Sequence, residues 1–148
     1  EKLHSHGIAI NGCFVFGFDN DDKDTFKETV EFVQKANIDL PRYAIYTPFP
    51  GTAVHNKLKS EGRIFEDNWS LYDAQHAVFQ PAHMTSQELE EGARWAWRET
   101  YKVRSIFRRL AGARCLTRVT LPLNLAYRHY AYNLHNYTKE RMLEDLDI

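Results

Sequence analysis

One stretch limits the fold more than any other. Residues 8–18 read Ile8-Ala9-Ile10-Asn11-Gly12-Cys13-Phe14-Val15-Phe16-Gly17-Phe18, with Asn11 the single polar side chain. The run is β-branched and aromatic, bounded by Gly7 and by the polar turn 19–24, and too short for a membrane span. A near-continuous apolar run of this length reads as a strand covered on both faces, as in a parallel sheet. On that reading Cys13 is a buried small hydrophobe.

The residues after this run fit a β-α-β unit. An amphipathic helix is expected from about Asp24 to Ala36, with Phe26, Val30 and Val33 on one stripe. Asp19, Asp21, Asp22 and Asp24 precede it, where a helix N-terminus is partly positive. They do not form a calcium loop, because Asp24 stands where that loop needs Gly and Val30 where it needs its last Glu. Arg42 to Tyr46 reads as a second strand, parallel to the first through a right-handed crossover. Thr47-Pro48-Phe49-Pro50-Gly51-Thr52 is a stiff loop at its C-terminal end. A short helix, about Ala53 to Ser60, closes at Gly62.

Residues 63–83 lack a period and are rich in aromatics, so a packed loop is expected, with a short strand around His76 to Phe79. Thr85-Ser86-Gln87-Glu88 is a capping box. It opens what reads as one long helix ending at Gly112, with Leu89, Ala93, Ala96, Thr100, Val103, Phe107 and Leu110 on its buried stripe. A last helix is expected from about Leu121 to Leu143, with Pro122 in its first turn and Leu123, Tyr127, Tyr130, Leu134 and Tyr137 inward. Two parallel strands alone leave both sheet edges open. The chain also starts at Glu1 rather than Met. Both features read as a piece of something larger.

Composition then removes whole classes. There are 19 Lys and Arg against 20 Asp and Glu, a formal charge of −1, so bulk electrostatics do not recommend nucleic acid as a partner. The two cysteines, Cys13 and Cys115, form no C-x-x-C and no zinc spacing, which suits a reducing, cytoplasmic compartment. No apolar stretch is long enough for a transmembrane segment. The seven histidines do not cluster as metal ligands. P-loop, G-x-G-x-x-G and G-x-S-x-G motifs are absent.

Gly12 to Asp19, the helix after it, Tyr43 to Thr52, Glu61-Gly62-Arg63-Ile64 and Asp67 to Asp73 together resemble the late part of a radical SAM barrel. The resemblance is closest to radical SAM proteins that carry an upstream cobalamin-binding domain, and Met84-Thr85 with its helix resembles their C-terminal extension. The implied fold is α/β. Residues 1–62 would be the last β-α-β units of a partial (β/α) barrel, 63–84 a connector and 85–148 a helical extension. The implied cofactors are S-adenosylmethionine and a [4Fe–4S] cluster on C-x3-C-x2-C, with cobalamin as a further candidate. The implied activity is reductive cleavage of S-adenosylmethionine and radical methylation or rearrangement of a small-molecule substrate. The cluster motif is not in this sequence, so the chain alone should be inactive. Its implied partner is the missing N-terminal part of the same polypeptide.

The family's G-x-I-x-G-x-x-E strand matches here only at Val15 and Gly17; Cys13 and Asn20 stand in its first Gly and its Glu positions. Val15, Gly17 and Phe18 are therefore the cofactor-binding candidates, since ligands in such folds sit at the C-terminal ends of strands. Tyr46, Thr47 and His76 are substrate-cavity candidates, with a structural role the main competitor for His76. No catalytic residue and no metal ligand is identified. Trp95 and Trp97 cannot share a helix face, so one packs and the other is free to meet a further domain. Arg94, Arg98 and Lys102 make a basic helix face, read as solvated and partly paired with Glu90, Glu91 and Glu99. Two other classes stay open: a non-catalytic α/β interaction module that pairs its sheet edges by oligomerising, and an RNA-contacting accessory domain.

Overall fold

The structure is a computed structural model. It describes residues 2–113 and 117–144, with side chains described up to Ala113 and from Arg118 to Leu134. Cys115 and the Tyr137 side chain lie outside the described residues. Two strands, β1 (Asn11–Phe16) and β2 (Leu40–Ile45), pair in parallel around helix α1 (Lys23–Lys35). Then come α2 (Ala53–Ser60), an irregular segment, α3 (Ser86–Thr100), α4 (Val103–Ala113) and α5 (Thr117–Glu144). No helix among the described residues is long and apolar enough to cross a membrane.

Local chemistry sets most boundaries. Gly7 adopts φ 74° and caps the His4–His6 turn. Asp22 and Thr25 form a reciprocal capping box on α1, and Thr85 and Glu88 form another on α3. Thr52 caps α2, and Gly62 leaves that helix at φ 68°. The strand expected near His76–Phe79 is reduced to one antiparallel bridge, Ile64 with Phe79.

The core lies on one face of the sheet. Phe16, Tyr43 and Ile45 turn toward α1 and α3, where Phe26, Val30, Val33, Leu89, Ala93, Ala96 and Trp97 meet them. Phe16 stacks on Tyr43 at 5.6 Å between ring centroids and meets Phe26 edge-on at 4.8 Å. The other face is open. Asn11, Cys13 and Val15 alternate outward on β1, and Arg42 does so beside them on β2. The expectation of a strand covered on both faces is therefore corrected among the described residues, and Cys13 is exposed rather than buried.

The sheet edges also differ. The ladder runs from Leu40 N–Ile10 O to Tyr46 N–Phe16 O. By the alternation of a parallel pair, the backbone groups of Asn11, Cys13 and Val15 point away from β2. No other described residue takes them. On β2 three of the outward groups are occupied. The Tyr101 hydroxyl donates to the Pro41 carbonyl at 2.7 Å, the Trp97 indole to the Tyr43 carbonyl at 3.1 Å, and the Ile45 amide donates to the Ala74 carbonyl at 2.8 Å. Pro41 has no amide to offer, which suits an edge strand.

The long helix expected from Thr85 to Gly112 is two helices. It breaks at Tyr101–Lys102 with neither Pro nor Gly there. The break frees two carbonyls, and arginines take both: Thr100 O accepts from Arg109 and Tyr101 O from Arg128. The stripe changes phase as a result. Val103 and Phe107 are exposed, while Ile106, Arg109 and Leu110 are buried. Gly112 does not end the helix but lies in α4, where a Cβ would collide with the Asn37 side-chain amide. Pro122 lies inside α5, which begins at Thr117, and Leu123 is exposed.

Arg109 has no exposed surface. Its guanidinium donates to Ile38 O at 2.7 Å, Asp39 O at 3.0 Å, Thr100 O at 3.2 Å and Asn124 Oδ1 at 3.0 Å, and lies 5.4 Å from the Tyr101 ring centre. Burial pulls its pKa down, and the hydroxyls of Tyr101 and Tyr43 push the other way. Its removal strands the buried carbonyl oxygens of Ile38 and Thr100, while Asp39 O keeps the Asn124 amide as a donor. Arg109→Met is expected to cost about 3–5 kcal/mol in urea unfolding; a loss below about 1 kcal/mol contradicts the role given to this side chain.

Candidate functional site

The C-terminal ends of β1 and β2 come together as the β-α-β unit requires. Gly17 leaves β1 at φ 106°. A Cβ there would lie 2.9 Å from Leu89 Cδ2 and 3.3 Å from Phe79 Cζ, so glycine is needed for α3 to approach. The Asp21 carboxylate accepts from Gly17 N at 2.8 Å and Phe18 N at 3.0 Å, which fills this amide pair from within the chain. Phe18 is exposed and lies against Tyr46, ring centroids 4.8 Å apart; Tyr46 meets Phe79 edge-on at 6.0 Å. The Thr47 hydroxyl donates to Ile45 O at 3.1 Å.

Asp19, just past Phe18, pairs with Arg63 at 2.8 Å, and this contact holds its carboxyl below the usual range. The turn after β1 is thereby tied to the segment after α2.

Beside these strand ends is a cleft of about 610 Å3. Cys13, Val15 and Arg42 line it from the sheet, Asp73 and Gln75 from the irregular segment, and Tyr127 and Tyr130 from α5. Gln75 donates to the Tyr130 hydroxyl at 2.9 Å, joining two of these walls. Of the cofactor and substrate-cavity candidates from the sequence, Val15 lines this cleft. Gly17, Phe18, Tyr46 and Thr47 sit at the strand ends beside it. Sequence reasoning misses Cys13, Arg42, Asp73 and Gln75 as lining residues. Arg42 carries a signal: an arginine within an apolar strand marks the face that is not core.

His76 is held by Asp73, ring Nδ1 to carboxylate at 3.1 Å, while the backbone of Gln75 and His76 also donates to that carboxylate. The hydrogen bond that the ring makes to the Asp73 carboxylate raises the His76 pKa against the opposing effect of burial, and Glu90 adds to the rise. Burial pushes the Asp73 carboxyl up, but the His76 contact and the two amides outweigh it and hold it low. Ala74, at φ 63°, places its carbonyl against β2 within the same turn.

On the basic face, Arg94 pairs with Glu90 at 3.3 Å and Lys102 with Glu99 at 2.5 Å. Trp97 is buried and Trp95 is 42% exposed. Among the described residues no group of three or more His, Cys, Asp or Glu could hold a metal ion.

The chain is 38% identical over 111 residues to the bacteriochlorophyllide d C-12(1)-methyltransferase of Chlorobaculum tepidum, covering 75% of this chain and 24% of that protein. It is 35% identical over 78 residues to the bacteriochlorophyllide d C-8(2)-methyltransferase of the same organism, 53% of this chain and 17% of that protein. It is 29% identical over 105 residues to the anaerobic magnesium-protoporphyrin IX monomethyl ester cyclase of Cereibacter sphaeroides, 71% of this chain and 17% of that protein. No family model matches the chain. These relatives are radical SAM proteins, and the chain is homologous to a part of them. It spans about a quarter or less of the length of these relatives.

The His76–Asp73 pair carries a pH signature. A raised histidine pKa adds stability below its ordinary value of 6.5 that fades as pH rises through the folded value. A lowered carboxyl pKa adds stability above its ordinary value of 3.8 that fades as pH falls through the folded one. The pair is thus strongest between those two ordinary values. NMR titration should find the His76 pKa above 6.5 and lower in Asp73→Asn; an unchanged value in the variant contradicts the pairing.

Proposed function

We propose that this chain forms the closing strands of a partial (β/α) barrel in a longer radical SAM enzyme, and that its open sheet face walls the cavity for S-adenosylmethionine and substrate. The observation that carries the reading is the asymmetry of the sheet. One face and the carbonyls of the β2 edge are covered, while among the described residues Asn11, Cys13, Val15 and Arg42 on the opposite face are exposed and the outward backbone groups of β1 have no partner. A bare parallel edge is a liability unless another strand occupies it. In this reading an earlier strand of the same polypeptide pairs with β1, so that β2 is terminal and the open face turns inward.

The [4Fe–4S] cluster of the family does not fit this chain's donor set. Three thiolates are required and the sequence has two cysteines, of which Cys13 lies on the open face. The cluster belongs, in this proposal, to another part of the longer protein, and cobalamin with it. S-adenosylmethionine supplies the radical or methyl chemistry when bound. The residues here do something simpler. Val15 offers a flat apolar contact on the open face, and Arg42 beside it offers a cation to a carboxylate. Phe18 and Tyr46 exclude water at the strand ends. The names of the bacteriochlorophyllide methyltransferases and the protoporphyrin ester cyclase support a cyclic tetrapyrrole as the small-molecule substrate.

Val15→Trp in the full-length protein would fill that wall. S-adenosylmethionine binding should weaken about tenfold, with the visible absorbance of the iron–sulfur cluster unchanged as the control for folding. Equal affinity in variant and wild type contradicts the reading.

A further inference from the structure

On the side of α1 and α3 away from the sheet's open face, α1, α3 and α4 enclose a second cleft of about 550 Å3. Gln34 lines it. The amide nitrogen and the amide oxygen of this side chain are both out of water, and neither has a hydrogen-bond partner. An unpaired buried amide is costly, and a donor and acceptor side by side are what the edge of a nucleobase or another amide would satisfy. Trp95 forms part of the wall and keeps 42% of its surface exposed.

The rim carries Lys27, Lys35, Arg104 and Arg108. None of the four makes a hydrogen bond or ion pair with another described residue. This sets them apart from Lys23, Lys57, Arg63, Arg94 and Lys102, each of which has a carboxylate partner. Two acids, Glu31 and Glu99, share the cleft, and Lys102 already occupies Glu99. The cleft therefore has an excess of unpaired positive charge, a stacking surface and an unsatisfied amide.

Each of those features answers one part of a nucleoside phosphate. Indole stacks on any base, guanidinium and ammonium groups take phosphate oxygens, and the glutamine amide pairs with a base edge. An acidic peptide would use the cations and could offer its backbone amides to Gln34, but its carboxylate side chains bring no flat ring to Trp95. We propose that this cleft binds a nucleoside phosphate, with the base against Trp95 and Gln34 and the phosphates on Arg104, Arg108 and the two lysines. The site shares no lining residue with the sheet cleft and goes beyond the function proposed above.

The test is calorimetric titration of the full-length protein with ADP, pyrophosphate and a single-stranded oligoadenylate. ADP should bind at least about tenfold tighter than pyrophosphate. Gln34→Leu and Trp95→Leu should each weaken ADP about tenfold and leave pyrophosphate unchanged, while Arg104→Ala with Arg108→Ala weakens both. Gln34→Leu removes two unpaired buried atoms, so it should fold at least as well as wild type, which circular dichroism checks. Val15→Trp should leave ADP binding as it is, which separates this site from any adenosine pocket on the open face. The proposal is overturned if ADP does not bind, or binds no tighter than pyrophosphate. It is overturned too if ADP affinity responds to Val15→Trp and not to Gln34→Leu, or if the oligoadenylate binds and ADP does not.

Discussion

A single buried guanidinium lets the helical half of the chain close on the sheet. Arg109 comes from α4, yet its four hydrogen bonds go to the segment leading into β2, to the last residue of α3 and to Asn124 of α5. Asn124 repeats the pattern, donating to Asp39 O and Thr120 O. Asp39 in turn receives His4 and the Ile10 amide on one carboxylate oxygen, each at 2.8 Å. Backbone polar groups where two helices and a strand converge would otherwise be buried without partners, at a cost of about 1–3 kcal/mol each. Arg109 and Asn124 answer those demands at once. The sharp break between α3 and α4 is tolerable because arginine side chains replace the helical donors it removes.

That closure makes the sheet one-sided. With α3 held at its break, Trp97 and Tyr101 reach the free edge of β2 and cap its carbonyls. Trp97 also packs edge-on against Tyr43, whose hydroxyl meets Thr100 at 2.6 Å and whose pKa burial drives up to about 12. Nothing comparable stands against β1 among the described residues. The polar work of the fold thus covers one edge and one face of the sheet and leaves the other edge and face open among the described residues. The cleft beside Val15 lies on that open side, and its lining is partly apolar and partly charged.

Much of this is legible in the sequence where the signals are local. The capping boxes at Asp22 and Thr85, the stripe Phe26–Val30–Val33, the α2 boundaries and the parallel pairing follow from side chains within a few residues of one another. The failures share one cause. Val103 and Phe107 look buried only if the helix stays straight, and nothing within a turn of Tyr101 says that it bends. Arg109 carries no local mark of burial, because its partners lie up to 71 residues away. Gly112 reads as a terminator, but its reason is the Asn37 side chain. Cys13 reads as buried because an apolar strand resembles the interior of a finished sheet; within the described residues that interior faces outward. At the site, Val15 can be reached through a family pattern, whereas Asp73 and Gln75 come to the cleft only through the turn at Ala74.

The central claim is that β1, and not β2, is the edge another strand occupies. Amide hydrogen exchange resolved to single residues, on this chain and on the longer protein proposed to contain it, addresses that claim directly. The account predicts that the amides of Asn11, Cys13 and Val15 exchange freely in the isolated chain and become protected in the longer protein, while Ile45 is protected in both. Equal exchange at the three β1 positions in the two samples, or new protection confined to β2, would contradict it.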